Sequence, residues 1–201
     1  MLSAVEDVAG RPPSDGDRAT FTGRTDRWIA GELLRRAGHA DTHAEVARVH
    51  ARYLELLVER MPTHGCDALP GALELGKTLV RAADEGRCRP SLLLTGTLRE
   101  GARRKLLAAG LADVYPLAGA FGDRHEDRID VARDAVAMAE GADPVILGDA
   151  PADLRAARAV GARCVLVATG PVPAAELAAL RPDALLDSLA DVERAMAALL
   201  G

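Results

Sequence analysis

A chain of 201 residues that is 49% hydrophobic and 27% charged can bury a sizeable core, and its balance excludes a disordered or fibrous protein. A net charge of −5 with 2% aromatic residues leaves neither a basic field for nucleic acid nor stacking platforms for single strands. No stretch approaches the ~20 uninterrupted apolar residues of a membrane span.

The opening "MLSAVEDVAG" carries acidic residues where a secretion signal is basic and then apolar, so a cytoplasmic setting is expected. The cysteines, Cys66, Cys88 and Cys164, are odd in number and widely spaced, which argues against a disulfide framework and a zinc knuckle. Of the 25 basic residues only Lys77 and Lys105 are lysines, so each lysine calls for a reason.

Up to residue 68 the pattern is helical. "TDRWIAGELLRRAG" offers Thr25 as an N-cap and an apolar face of Trp28, Ile29, Leu33 and Leu34. "HAEVARVHARYLELLVERM" repeats the arrangement with Val46, Val49, Tyr53, Leu54 and Leu57. "HGCDALPG" at 64–71 reads as a hinge. Residues 1–68, with the two helices lying after about residue 15, therefore form a helical module, and residues 69–201 an α/β core.

In the core, unbroken apolar runs alternate with helical stretches. "SLLL" at 91–94, "PVIL" at 144–147, "CVLV" at 164–167 and "ALL" at 184–186 read as strands of a Rossmann-like parallel sheet buried on both faces, with "YPLAGAF" at 115–121 as a further candidate. The helices "LREGARRKLLAAG" and "PADLRAARAVG" stop at Gly110 and Gly161, and "DVERAMAALL" closes the chain.

Ligands of such sheets sit beyond the carboxyl ends of the strands. Asp149 falls at that end of the 144–147 run, and Asp153 lies in the first turn of the next helix. Two hard carboxylates beside a phosphate site suit Mg²⁺. The structural alternative is that Asp149 caps the helix, Pro151 fills its first position and Asp153 complements its dipole. Thr95 and Gly96 follow the 91–94 run and open a helix, offering a hydroxyl and amides to phosphate, or an ordinary cap. Lys105, farther along that helix, offers a compact ammonium.

The order strand-Thr95-Gly96, Lys105, strand-Gly148-Asp149-x-x-x-Asp153 resembles motifs two to four of the haloacid dehalogenase-like (HAD) hydrolases, and the helical module resembles their cap domain. The resemblance spans nearly the whole chain, and its most specific part is "LGDAPADLRAARAVGARCVLVATG". It implies a Mg²⁺-dependent phosphate monoester hydrolase acting on a small phosphorylated molecule. Thr95, Lys105 and Asp149 would be catalytic; Thr95, Gly96, Lys105 and Arg24 would bind substrate; Asp149 and Asp153 would place the metal. Arg128 or Arg124 in "GDRHEDR" is the reserve for Lys105. In "FTGRTDRW", Arg24, Thr25 and Asp26 are candidate substrate contacts or a helix cap. His125 and Asp123 are candidates for an altered chemistry, or loop residues.

The resemblance also implies an aspartate nucleophile in an Asp-x-Asp motif at the end of a first strand that precedes the cap and lies between the strands ending at Thr95 and Asp149. "MLSAVEDVAGRPPS" supplies no such strand, Asp7 reads as helical, and Asp15-Gly16-Asp17 in "PPSDGDR" reads as a turn. Two facing rows of backbone groups would then lack partners, at about 1–3 kcal/mol each. The start lies upstream, another segment or chain fills the gap, or the two strands close up. Little or no turnover is expected of this polypeptide as written. The competing expectation is a non-catalytic HAD-like protein that binds a phosphorylated ligand or a protein partner. An unpaired edge would invite a homodimer.

Overall fold

The computed structural model describes residues 1–14, 16, 21–139 and 141–201, and for residues 62–64 the backbone alone. Three helices come first: α1 (Leu2–Ala9), α2 (Asp26–Arg36) and α3 (His43–His64). Their sequences explain their starts. Thr25 caps α2 by accepting a hydrogen bond from the Trp28 N–H at 3.2 Å, and Thr42 caps α3 through Glu45 N–H at 3.3 Å. Ala4, Val5, Leu33, Leu34, Val46 and Val49 pack between the three helices as one core.

The remainder alternates: α4 (Ala72–Asp84), β1 (Leu93–Leu94), α5 (Arg99–Ala108), β2 (Gly119–Ala120), α6 (Arg128–Met138), β3 (Val145–Gly148), α7 (Pro151–Ala159), β4 (Arg163–Val167), α8 (Ala174–Ala179), β5 (Ala184–Leu186) and α9 (Val192–Leu200). All pairings are parallel, giving the α/β, Rossmann-like class expected from the apolar runs. In β4, Val165 and Val167 join Leu75 and Ala195 on one face, while Cys164 and Leu166 join Ala132, Leu154 and Leu177 on the other. This two-sided burial is why the run has no polar alternation.

Several elements differ from the sequence expectation. The runs at 91–94 and 115–121 yield strands of two residues each, because β1 and β2 pair only with each other among the described residues. Helices α4, α6 and α8 are additional to those the apolar patterns predict, and α6 begins at Arg128.

The sheet is also split. β1–β2 and β3–β4–β5 are separate ladders, with a cleft of about 890 Å³ between them, lined by Leu92–Leu94 on one side and Val145–Leu147 on the other. The two strands have not closed up. Asp15 and Asp17 lie outside the described residues.

Candidate functional site

Asp149 and Asp153 meet at the carboxyl end of β3 and are positioned differently. Asp153 is 2% exposed, and its Oδ2 accepts hydrogen bonds from the Asp149 and Ala150 N–H groups at 3.1 Å each. Its Oδ1 accepts from Arg128 Nε at 2.7 Å, with Arg128 Nη2 2.6 Å from the same oxygen as an ion pair. The carboxylate thus holds the first turn of α7 and the Arg128 guanidinium at once. Asp149 is exposed at the mouth. Burial, and then the neighbouring Asp153 charge, raise its pKa above the ordinary carboxylate range, with Arg128 opposing.

Across the mouth, Thr95 Oγ1 accepts from Thr97 N–H at 3.1 Å, which leaves its own proton free to donate. The Thr95–Gly96 loop and the Asp149–Ala152 turn are tied together by the segment before α2. Gly23 has φ +72°, and a Cβ there would stand 2.5 Å from Ala152 Cβ. A Cβ on Gly96 would stand 2.5 Å from the Arg24 carbonyl oxygen. Asp26 N–H donates to Gly96 O at 2.7 Å, Asp26 Oδ2 accepts from Leu98 N–H at 3.0 Å, and the fully buried Thr25 donates to Glu126 O at 3.1 Å. Residues 23–26 therefore bridge both sides of the mouth. Arg24 stacks on Trp28 with its guanidinium carbon 4.5 Å from the ring centroid, and its side chain is exposed beside the crevice.

Lys105 does not join this cluster. α5 packs on α3, with Arg104 Nη1 donating to Leu54 O at 2.8 Å and Cys66 Sγ to Lys105 O at 3.6 Å. On this helix the Lys105 charge acts on Asp26 and on the Met1 amine. The cation acting on Asp149 and bound to Asp153 is Arg128, the reserve candidate, which the first turn of α6 delivers. His125 Nε2 lies 2.8 Å from Asp134, and Asp123 accepts from Arg99 N–H at 2.8 Å, so both are committed to local structure. In the sequence Thr25 reads as a helix cap or a substrate contact. Its complete burial and its bond to Glu126 show that it also fixes the mouth.

Asp153 accepts three hydrogen bonds, from Arg128, Asp149 and Ala150, and Asp149 is the more exposed of the two carboxylates that face a cation at this end of β3. No group of three metal-ligating side chains occurs among the described residues.

This is the fold of the haloacid dehalogenase-like hydrolases. Residues 120–192, which carry Arg128, Asp149 and Asp153, match the family model described as HAD-hydrolase-like. A hydrolase from Pseudomonas syringae is similar over 98% of this chain and 88% of its own, with a TM-score of 0.69 and 20% identity. CbbY from Rhodobacter sphaeroides, solved in complex with phosphate, is similar over 95% and 88%, with a TM-score of 0.67 and 21% identity. A predicted phosphoglycolate phosphatase from Haemophilus somnus gives 97% and 88%, 0.60 and 17%. No curated protein matches the sequence significantly. No helix among the described residues is long and apolar enough to cross a membrane.

Proposed function

We propose that the crevice belongs to a Mg²⁺-dependent phosphate monoester hydrolase acting on a small phosphorylated molecule in the cytoplasm. In this reading the 201 residues supply the phosphate seat and the metal carboxylate. The observation that carries it is the junction of Asp149, exposed at the mouth, with an Asp153–Arg128 pair that fixes the turn beneath it. A structure of the same fold solved in complex with phosphate supports the ligand class.

Thr95 would donate its hydroxyl proton to a phosphoryl oxygen, and Gly96 would offer its amide, as expected where a strand opens towards a helix. Arg128 would add positive field without leaving Asp153. Bound at Asp149, Mg²⁺ would neutralise phosphate charge. The described carboxylates flanking Asp149 at the mouth are already engaged. Asp26 accepts from Leu98 N–H, Asp123 from Arg99 N–H, Asp127 from Ile129 N–H, and Glu126 lies 3.5 Å from Arg27. Each therefore already has a structural role. Little or no turnover of p-nitrophenyl phosphate is therefore expected from the 201-residue chain, and Mg²⁺-dependent turnover abolished by Asp149→Asn would overturn that expectation.

The same engaged carboxylates favour a second reading, a non-catalytic protein that holds a phosphorylated ligand. Calorimetric titration with inorganic phosphate tests the shared core of both. Saturable binding that requires Mg²⁺ and is lost in Asp149→Asn and Thr95→Ala is expected, whereas binding indifferent to the metal and to both substitutions would remove the site.

A further inference from the structure

The two carboxylates at the end of β3 differ in what holds them. Asp153 is fixed by Arg128 and by the Asp149 and Ala150 amides. Asp149 is exposed and has no side-chain hydrogen-bond partner among the described residues. A carboxylate that is to hold a cation nevertheless needs one defined orientation.

The contact that confines Asp149 comes from the turn after β4. β3 and β4 are parallel neighbours whose register ends at Gly148 and Leu166, and Gly170 lies three residues beyond the end of β4 at Val167. A Cβ built on Gly170 would overlap Asp149 Oδ2 and stand 2.9 Å from its Cγ and 3.1 Å from its Cβ. These are its three nearest atoms, so the space that a side chain would fill at this position is taken by Asp149, with Oδ2 turned towards the turn and Oδ1 farther from it.

Other turn glycines have a different cause. Gly110, Gly141 and Gly161 have φ of 67°, 69° and 72°, and a Cβ on any of them meets nothing within 4 Å. Gly170 is the reverse case: its φ lies outside the left-handed region and its free side is occupied. What glycine provides here is room. Gly148 is of the same kind, since a Cβ there would overlap the Asp153 carboxyl. Each carboxylate of the pair therefore rests against a glycine of its own.

We propose that Gly170 is a positioning residue for Asp149: its bare Cα confines the carboxylate with Oδ2 against the turn and leaves Oδ1 as the oxygen offered at the mouth. A side chain at the exposed end of a strand otherwise gives up rotamer freedom when it binds, and the contact removes part of that cost beforehand. Mg²⁺ demands near-ideal octahedral geometry and keeps several waters, so a single well-aimed carboxylate oxygen suits it. The consequence for metal binding rests on the reading of Asp149 as the metal carboxylate, whereas the contact itself does not.

The test compares the intact chain with Gly170→Ala, in which one methyl group is added against that carboxylate, alone and together with Asp149→Ala. Without metal, Gly170→Ala should lower the melting temperature by roughly 3–10 °C. In the Asp149→Ala background the same methyl group has room, and less than half of that loss is expected; a glycine with a merely structural role would not show this coupling. A Gly170→Ala chain that folds only when Asp149→Ala accompanies it would support the proposal in the same way. In calorimetric titration Gly170→Ala should weaken Mg²⁺ binding by about tenfold or more. Equal losses in the two backgrounds, failure of both variants to fold, or Mg²⁺ affinity unchanged by Gly170→Ala would overturn the proposal. If wild-type Mg²⁺ binding is absent or survives Asp149→Asn, the metal reading alone falls, and the melting comparison still decides whether Gly170 positions Asp149.

Discussion

The two sides of the cleft are built from similar apolar runs and reach different outcomes. On one side β4 is flanked by β3 and β5, with side chains from Cys164 to Val167 no more than 6% exposed and helices on both faces. On the other, "SLLL" contributes only Leu93 and Leu94 to a ladder, and the small core under β2 consists of Ala120, Val131 and Ala135. An apolar run records that a segment can be buried. How much of it becomes strand depends on partners at both edges.

Truncations on the two sides should sharpen that contrast most. Leu166→Ala empties a fully buried position in the central strand of its ladder and should cost about 3–5 kcal/mol in urea unfolding. Leu94→Ala, half-buried on the cleft wall, should cost about 1 kcal/mol. Equal losses would show that the two ladders are packed alike. Next comes Arg128→Ala, which leaves Asp153 nearly inaccessible and without its counter-charge; about 2–3 kcal/mol should be lost at neutral pH. Arg128→Lys should recover only part of this, since one ammonium cannot reproduce both the Nε hydrogen bond and the Nη2 ion-pair contact. A neutral Arg128→Ala would mean that Asp153 is held by its backbone donors alone.

The sequence was most legible where local and tertiary demands agreed. β5 coincides with the run read at 184–186, and α7 begins at Pro151 and stops short of Gly161 as its caps dictate. Asp149 and Asp153 sit together because four positions separate a strand end from the first turn of its helix. The rarity of lysine in an arginine-rich chain does not fix which group Lys105 faces. Its compact charge instead lies near Asp26, a carboxyl whose burial raises its pKa. Helix α6 was hidden by the charges that open it, "HEDRID", which mark an N-terminus as readily as a loop. Nor does any local pattern announce that residues 23–26 bridge the two halves of the mouth, since that contact depends on Gly23 and Gly96 meeting partners far along the chain.

That bridge supplies the third prediction. Thr25 accepts from Trp28 N–H and donates to Glu126 O, so Thr25→Ala removes a helix cap and a tie between the module and the core. A loss of about 1–2 kcal/mol is expected in thermal unfolding, with Thr25→Ser retaining most of the stability. If the module were only loosely attached, the loss would appear in α2 alone, as faster exchange of its first-turn amides without a change in global stability.

The smallest effect is expected at Asp149, and it has the opposite sign. Burial and the Asp153 charge raise its folded pKa, so the fold favours the protonated form. This group's contribution to stability is complete below the unfolded carboxylate value of about 3.9 and is lost as pH rises through the elevated folded value. Asp149→Asn escapes that loss. The variant should melt above the wild type at pH 7, and the gap should shrink to nothing as pH falls towards the ordinary carboxylate range. Mg²⁺ should raise the wild-type melting temperature at pH 7 by binding the ionised carboxylate, and should leave the variant unchanged. A gap that does not vary with pH would show that Asp149 is not strained by its surroundings. Equal Mg²⁺ responses would place the cation elsewhere. Arg128→Ala should widen the pH dependence of Asp149, because it removes the one positive charge that opposes the shift and leaves Asp153 acting on its neighbour alone.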